Sequence, residues 1–317
     1  MKVVVPDMGH GNCVGIFNGK DSLIVDCGTR TKKKEENFYK FIRPKLNSKK
    51  RELMITHYHT DHYNLLHSLP QKFFEETYLP ALPPESDSAA AILEFLALSI
   101  ATRFKDYPLI PQIIKVTKKI TPLIKNDSFS ALGKDWETLW PDYSKIDKVN
   151  KVRIKNLREK IRIVQDRLSS EALEEFKRWY SILSHVFSGK EVECEAYRID
   201  IQDFEPSQGV LESLEEIEGA FRQLADRTSL VAREVHGEFL FTGDVDNAVL
   251  NNYLDFSDIE HYFLIEAPHH GGRYGSAFNN VKTTILVISR RSGYLPRPEF
   301  MHNVSWDLLV DTGKGKM

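Results

Sequence analysis

The sequence predicts an α/β fold with strand-rich segments at both ends and a helical segment of roughly 120 residues between them. Short β-branched and apolar runs recur within residues 1–69 and again after residue 193. Between these two parts, apolar residues recur at helical spacing instead. We therefore expect residues 1–69 and 194–317 to form one domain and residues 70–193 to form a helical insertion subdomain.

The composition is typical of an ordinary folded protein without a membrane segment. The 317 residues are 41% hydrophobic and 28% charged, and the formal net charge is −2. No run approaches the ~18 consecutive apolar residues of a membrane helix, and the N-terminus is charged too early for a signal peptide. Three scattered cysteines, Cys13, Cys27 and Cys194, argue against a disulfide framework. We expect a cytoplasmic location.

The two strand-rich parts predict nine short strands. Four fall in the first part, at Val3–Val5, Val14–Phe17, Ser22–Val25 and Leu53–Thr56. Asn18-Gly19 is a strong hairpin signal between the second and third strands, and a short helix is expected near Phe38–Ile42. The remaining strands are expected at Ala196–Ile201, Ser229–Ala232, Glu238–Phe241, Tyr262–Ile265 and Thr284–Ser289.

The middle segment predicts three helices. Ala89–Phe104 is rich in alanine and leucine, which is typical of a buried helix. An apolar stripe with spacings of three and four runs along a charged helix through Ile154, Leu157, Ile161, Val164 and Leu168. We expect this helix to pack against a second one at Glu171–Phe187. Because the stripe also has heptad spacing, a homodimer or a partner protein bound through the insertion is an alternative.

A cluster of metal-ligand residues follows the buried strand at Leu53–Thr56. In His57-Tyr58-His59-Thr60-Asp61-His62, residues two apart point the same way on an extended chain, so His57 and His59 can share one metal ion. If the chain turns after Thr60, Asp61 and His62 can face a second ion. Imidazole and carboxylate ligands suit zinc, manganese or iron rather than calcium.

Two later strands also end in metal-ligand residues. One strand leads through Gly243 into Asp244, and another leads into His269 and His270. Either segment alone is a common loop. Together with the first cluster they place ligand-type side chains at three strand ends, which predicts a metal site at one edge of the sheets.

These segments resemble the metallo-β-lactamase fold superfamily, and within it the hydrolase domain of ComEC-type competence proteins. The resemblance implies an αββα four-layer sandwich interrupted by the helical insertion. It also implies that His57 and His59 hold the first metal ion, that Asp61 and His62 hold the second, and that Asp244 bridges them. One of His269 and His270 would complete the second site. We favour His269, which leaves His270 to donate a proton or to bind phosphate.

The sequence departs from the superfamily pattern at the position of a third imidazole for the first metal. The matching stretch, Leu224–Ser229, contains no histidine, and Asp226 is the candidate ligand there. His10 replaces a glutamine of the first turn and is a candidate substrate contact. His302, after the final proline-rich loop, is a second one.

The small net charge conceals strong local charges. Residues Arg30–Arg51 contain ten basic and two acidic residues, a net charge of +8, and Lys145–Leu168 carry +6. Asp203–Glu260 carry −11. Basic stretches near a two-metal site favour a nucleic acid or nucleotide, with Lys32 and Lys34 as further candidate substrate contacts. A solvated helix face that pairs with the acidic stretch is the alternative.

The sequence therefore predicts a metal-dependent hydrolase, a phosphodiesterase or nuclease that uses a metal-bridging hydroxide on a phosphate-bearing substrate. Two divalent ions, zinc or manganese, are the expected cofactors, and Asp61 is expected to orient the nucleophile. Two alternatives remain open. One is a carbonyl hydrolase acting on a lactone, thioester or β-lactam. The other is a catalytically degenerate binding module with the helical insertion as its working surface.

Overall fold

The computed structural model describes residues 1–194, 197 and 206–314. Within these residues fourteen strands form two seven-stranded sheets. The first sheet has the order β1 (Lys2–Val4), β2 (Val14–Asn18), β3 (Asp21–Val25), β4 (Lys50–Met54), β5 (Phe74–Pro80), β6 (Thr117–Leu123) and β9 (Val192–Glu193). The second has the order β14 (Ser305–Asp311), β13 (Lys282–Ile288), β12 (Tyr262–Glu266), β11 (Phe239–Phe241), β10 (Val231–Glu234), β8 (Lys134–Trp140) and β7 (Ser128–Ala131).

The central strands of both sheets are parallel, so their carboxyl ends lie at one edge. β3 to β6 run parallel in the first sheet, and β11 to β14 run parallel in the second. The chain segments that follow β3, β4, β11 and β12 carry Asp26, the histidine cluster, Asp244 and the paired histidines. The topology thus brings sequence-distant polar residues together.

Alternating side chains pack the sheets against each other and against helices. Leu23 and Val25 of β3 belong to the apolar layer between the two sheets, with Phe239 and Phe241 of β11 opposite. Ile24, between them, belongs to the larger core that the helices cover. This alternation is the period-2 pattern of a strand buried on both faces. The predicted αββα architecture is confirmed.

Eight α-helices accompany the sheets in the described residues. They are α1 (Glu35–Asn37), α2 (Asp87–Ala101), α3 (Ile110–Val116), α4 (Tyr143–Gln165), α5 (Ser170–Val186), α6 (Gln208–Arg227), α7 (Asn247–Asn252) and α8 (Pro298–Asn303). A π-helical turn at Phe38–Ile42 occupies the position of the first predicted helix. None of the described helices is long and apolar enough to cross a membrane.

The prediction of a helical segment over residues 70–193 is wrong for β5 to β9, which complete both sheets. Proline in β5 and β6 and the charged faces of these two strands concealed them. Glu75 and Glu76 of β5, for example, pair with Lys118 and Lys119 of β6. The division into a hydrolase domain and an inserted subdomain stays a prediction, and its boundaries would have to move to α4 and α5.

Other predicted elements lie close to their expected positions. The strands predicted at Leu53–Thr56, Tyr262–Ile265 and Thr284–Ser289 correspond to β4, β12 and β13, each displaced by a few residues at one or both ends. The strand predicted at Ala196–Ile201 lies outside the described residues. Helix α6 and strand β14 were not predicted, although the α6 residues Val210, Leu214, Ile217, Phe221 and Leu224 form a buried helical stripe.

The apolar stripe of α4 is buried within the chain. Ile154, Leu157, Ile161 and Val164 are exposed by 3% or less, and α4 packs against α2 and α6. Helix α5 packs chiefly against α2 rather than against α4 as expected. A homodimer would therefore have to use other residues of α4 than this stripe.

We predict that Ile161→Ala lowers the free energy of unfolding by about 2–5 kcal/mol, because it leaves a cavity in a buried helix face. Ile163→Ala, on the same helix, is the matched control. Ile163 is 47% exposed, so its loss should change stability by less than about 0.5 kcal/mol. Urea denaturation measures both variants, and equal losses would contradict the assigned face of α4.

Candidate metal centre

Asp26 holds the histidine cluster at the end of β4. Its carboxylate accepts hydrogen bonds from the Thr56 backbone NH (2.8 Å), the Thr56 hydroxyl (2.8 Å), Asn12 Nδ2 (2.9 Å) and His62 Nδ1 (2.6 Å). Asp26 is fully buried and has φ of +55°, which is unusual for a residue with a side chain. Its position therefore depends on these hydrogen bonds.

The hydrogen bond to Asp26 fixes the orientation of His62. Because Nδ1 donates to the carboxylate, Nε2 is the ring atom left to face the cluster, and it lies 3.7 Å from Asp244 Oδ2. Burial alone would lower the pKa of His62, but Asp26 and Asp244 outweigh it and raise the pKa to about 10. A histidine held by a carboxylate in this way is a common outer-shell arrangement at metal sites.

The ligand-type side chains form two adjacent groups. The ligand atoms within each group lie within 4.8 Å of one another: His57, His59, Asp226 and Asp244 in the first group, and Asp61, His62 and His270 in the second. Asp244 lies between the groups. Its Oδ2 is 3.6 Å from His57 Nε2, 3.7 Å from His62 Nε2 and 3.9 Å from His270 Nε2.

Asp226 occupies the place of the missing imidazole. It is the penultimate residue of α6, and its Oδ1 lies 3.3 Å from His59 Nδ1. The other oxygen, Oδ2, accepts a hydrogen bond of 2.5 Å from Arg273. Arg273 also donates to the backbone carbonyl of Asp244. The guanidinium thus neutralises one oxygen of Asp226 and leaves the other facing the first group.

The paired histidines have different surroundings. His270 Nδ1 donates to the Ser289 carbonyl (2.6 Å), so its Nε2 faces the second group, and the residue is 8% exposed. The His269 side chain is 30% exposed, and its Nδ1 lies 3.1 Å from Asp244 Oδ2. The structure therefore groups His270 with Asp61 and His62, where we had expected His269.

Both histidines have left-handed backbone conformations, with φ of +49° at His269 and +58° at His270. Such a conformation costs about 1–2 kcal/mol per residue with a Cβ. Strain of this kind persists only where surrounding contacts impose it, and it is concentrated at functional sites.

Unsatisfied buried atoms indicate what the cluster can hold. Among the described residues, no hydrogen bond reaches His59 Nε2, His62 Nε2 or Asp226 Oδ1, although all three atoms are buried. Each such atom costs about 1–3 kcal/mol if it stays unpaired. Imidazole nitrogen and carboxylate oxygen are suitable donors for a divalent transition metal, so the residues fit the expected ions.

Electrostatics within the cluster also favour bound cations. Burial raises the pKa of Asp244, but His269 and His62 outweigh it and hold the pKa well below its usual range. Burial lowers the pKa of His57, and the neighbouring His62 lowers it further. An ionised carboxylate beside a neutral imidazole is the protonation state that metal binding requires.

Of the candidate substrate contacts, only His10 reaches the cluster. Its Nε2 lies 3.4 Å from Asp61 Oδ2, and burial lowers its pKa to about 4. Lys34 forms an ion pair with Asp7, Lys32 is exposed, and His302 is exposed on α8. In the described part of the chain, no hydrogen bond or ion pair joins these last three residues to the cluster.

Three arginines beside the cluster were not predicted as site residues. Arg30 lies 3.2 Å from Asp61 Oδ1, Arg273 contacts Asp226, and Arg222 of α6 is close enough to Asp61 and His59 to affect their electrostatics. Arg30 belongs to the first basic stretch, which was the available signal. The contact between Arg273 and Asp226 joins residues that are 47 positions apart, so no local sequence pattern indicates it.

Comparison with known proteins agrees with this geometry. Residues 6–111 match the family model of the metallo-beta-lactamase superfamily. This match supports the resemblance to the superfamily that the sequence motifs indicate. It contains the His57–His62 motif and covers about a third of the chain. The curated proteins give no match. The superfamily match and the buried cluster of histidines and aspartates suggest a metal-dependent hydrolase.

We predict that His59→Ala weakens binding of zinc or manganese by more than about tenfold, since even outer-shell partners contribute 10–100-fold. Isothermal titration of the metal-free protein measures the affinity. His302→Ala is the control and should bind metal like the unchanged protein. Equal affinities of the His59 and His302 variants would contradict the assignment of the first group.

We predict that Arg273→Ala also weakens metal binding, by about 10–100-fold, because Asp226 loses the partner that orients it. The same titration applies, with Arg153→Ala on the exposed face of α4 as control. Unchanged affinity after loss of Arg273 would show that Asp226 does not depend on it.

Proposed function

We propose that this protein is a metal-dependent phosphodiesterase or nuclease acting on a phosphate-bearing substrate. The observation that carries the proposal is the set of cationic side chains around the buried ligand groups. Arg30 and Arg273 contact carboxylates of the cluster, whereas Arg222 is paired with Glu218 and is close enough to Asp61 to affect its electrostatics. The three side chains are 20–37% exposed. Guanidinium groups at the mouth of a metal centre suit the oxygens of a phosphodiester.

Two metal ions would be held by the two groups, with Asp244 shared between them. His57, His59 and Asp226 would hold the first ion, and Asp61, His62 and His270 would hold the second. When bound, the ions would activate water as the nucleophile and stabilise negative charge on the reacting group. The ligand set resembles that of the metallo-β-lactamase fold superfamily, with Asp226 in place of the third imidazole of the first metal site.

Residues of the chain would position the substrate and move protons. Arg30 is 33% exposed and would hold a non-bridging phosphate oxygen beside Asp61. Asp61 would also orient the attacking water. His10, whose side chain is 38% exposed, would donate a hydrogen bond to the same phosphate.

His269 is the better candidate for protonating the leaving oxygen, a role that we had expected of His270. The Nδ1 atom of His269 faces Asp244, which leaves Nε2 of this partly exposed ring for the substrate. His270 is buried, and its Nδ1 is occupied by the Ser289 carbonyl. Because of these contacts, we propose His270 as the metal ligand and His269 as the proton donor, the reverse of the sequence-based expectation.

A carbonyl hydrolase is the second candidate, because one wall of the site is apolar. The ring of Phe221 lies 6.2 Å from that of His59, and Phe95 stacks on Phe221 at 4.0 Å. Such a wall would suit the acyl part of a lactone or thioester. The cations on the remaining sides favour the phosphodiester.

We predict that the manganese- or zinc-loaded protein cleaves bis-(p-nitrophenyl) phosphate and that Asp244→Asn reduces kcat/KM by at least about a thousandfold, because both ions lose a shared ligand. Asp307→Asn, at an exposed position, should retain activity. Release of p-nitrophenol measures the rates. Turnover of a lactone, thioester or β-lactam without any phosphodiester cleavage would support the second candidate instead.

We predict that Arg30→Gln raises KM for the phosphodiester about tenfold, because a charge-assisted contact to the phosphate is lost. Lys49→Gln, which removes an exposed charge elsewhere, should leave KM unchanged. Metal content is measured in parallel, since Arg30 also contacts Asp61. A fall in metal content with unchanged KM would show that Arg30 positions the ligand Asp61 and does not contact the substrate.

A further inference from the structure

A second cation-rich feature lies outside the metal centre, in a groove between α4 and α6. The groove has a volume of about 690 Å³. We call it the α4–α6 groove. Its charged lining consists of Lys148, Lys151, Arg153, Lys160, Arg227 and one carboxylate, Glu216. The groove thus concentrates much of the second basic stretch of the sequence in one place.

Most of this positive charge is uncompensated. Lys148, Lys151, Arg153 and Lys160 are exposed, and none of them forms an ion pair with another described residue. Arg158, on the α2 side of the same helix, is different, because it pairs with Asp87 and Glu94. Arg158 therefore pairs with carboxylates of α2 and not with the acidic stretch Asp203–Glu260, and the four cations of the groove have no ion-pair partner among the described residues.

The spacing of the cations fits an extended anion. Lys148 and Lys160 are twelve residues apart on one helix, which corresponds to about 18 Å along its axis. A nucleic-acid strand carries one phosphate per roughly 3.4 Å, so about five phosphates could follow this distance. A small anion would contact only one or two of the lysines.

The groove and the metal centre both include residues from the C-terminal end of α6. Arg227 lines the groove, and the preceding residue, Asp226, belongs to the first ligand group. Arg227 is held by Asp246 and by Asn150 of α4, so the end of the groove is fixed relative to the cluster. Val149 and Val152 are 58% and 74% exposed in the lining and offer apolar contacts to sugars or bases.

We propose that the α4–α6 groove binds the phosphate backbone of a nucleic-acid strand and guides the strand towards the metal centre. The choice of nucleic acid among extended anions rests on the proposed function. The groove itself is defined by charge and spacing that do not involve the metal ligands.

The test is binding of a fluorescein-labelled 20-nucleotide single strand, measured by anisotropy in EDTA so that no cleavage occurs. The variant K148Q/K151Q/K160Q should bind at least tenfold more weakly than the unchanged protein. The control K20Q/K49Q/K282Q removes the same charge from exposed positions elsewhere and should bind within about twofold. The slope of log K against log salt should fall by about two in the groove variant, since each phosphate contact contributes about 0.7.

The outcomes separate this proposal from the proposed function. Asp244→Asn should still bind the strand, so loss of hydrolysis with retained binding would leave the groove supported. Equal binding by the groove variant and its control, or no binding by the unchanged protein, would overturn the proposal. Poly-glutamate that binds as tightly as the strand at the same salt would also overturn it and would indicate an acidic protein partner. Circular dichroism checks the fold of each variant.

Discussion

The buried carboxylate of Asp26 accepts hydrogen bonds from four donor atoms on Asn12, Thr56 and His62, and the geometry of the site depends on these contacts. It fixes Thr56 at the start of the histidine motif and turns His62 so that Nε2 faces Asp244. Hydrogen bonds to a charged group are worth about 1.5–3 kcal/mol each, so the set can offset the cost of burying the charge and of a positive φ. Backbone hydrogen bonds from Cys27 to the His62 carbonyl and from Leu65 to the Cys27 carbonyl also join the segment after β3 to the segment after β4.

The two sheets bring the remaining ligand-type side chains to the histidine motif. Because their parallel strands end at one edge, Asp244 and the paired histidines face the motif from the second sheet. Helix α6 then supplies Asp226, and Arg273 holds it in place. The first sheet therefore supplies the histidine motif. The second sheet and the end of α6 supply the remaining ligand-type side chains.

The motif from His57 to His62, Asp244 and the paired histidines could be predicted, because each follows a recognisable strand. The choice between His269 and His270 could not, since it depends on which ring reaches the Ser289 carbonyl. Arg273 and Asp226 are 47 residues apart, and no local pattern links them. Strands β5 and β6 were missed because proline and paired charges masked their alternation, whereas the alternation of Trp136, Thr138 and Trp140 in β8 was present in the sequence and was overlooked. The stripe of α6 was present in the sequence and was overlooked.

We expect the two ligand groups to hold two metal ions, with Asp244 between them. Anomalous X-ray scattering from crystals of the manganese- or zinc-loaded protein tests this expectation directly. We expect two anomalous peaks about 3.5–4 Å apart, one beside His57 and His59 and one beside His62 and His270, with Asp244 contacting both. A single peak, or peaks away from Asp244, would contradict it.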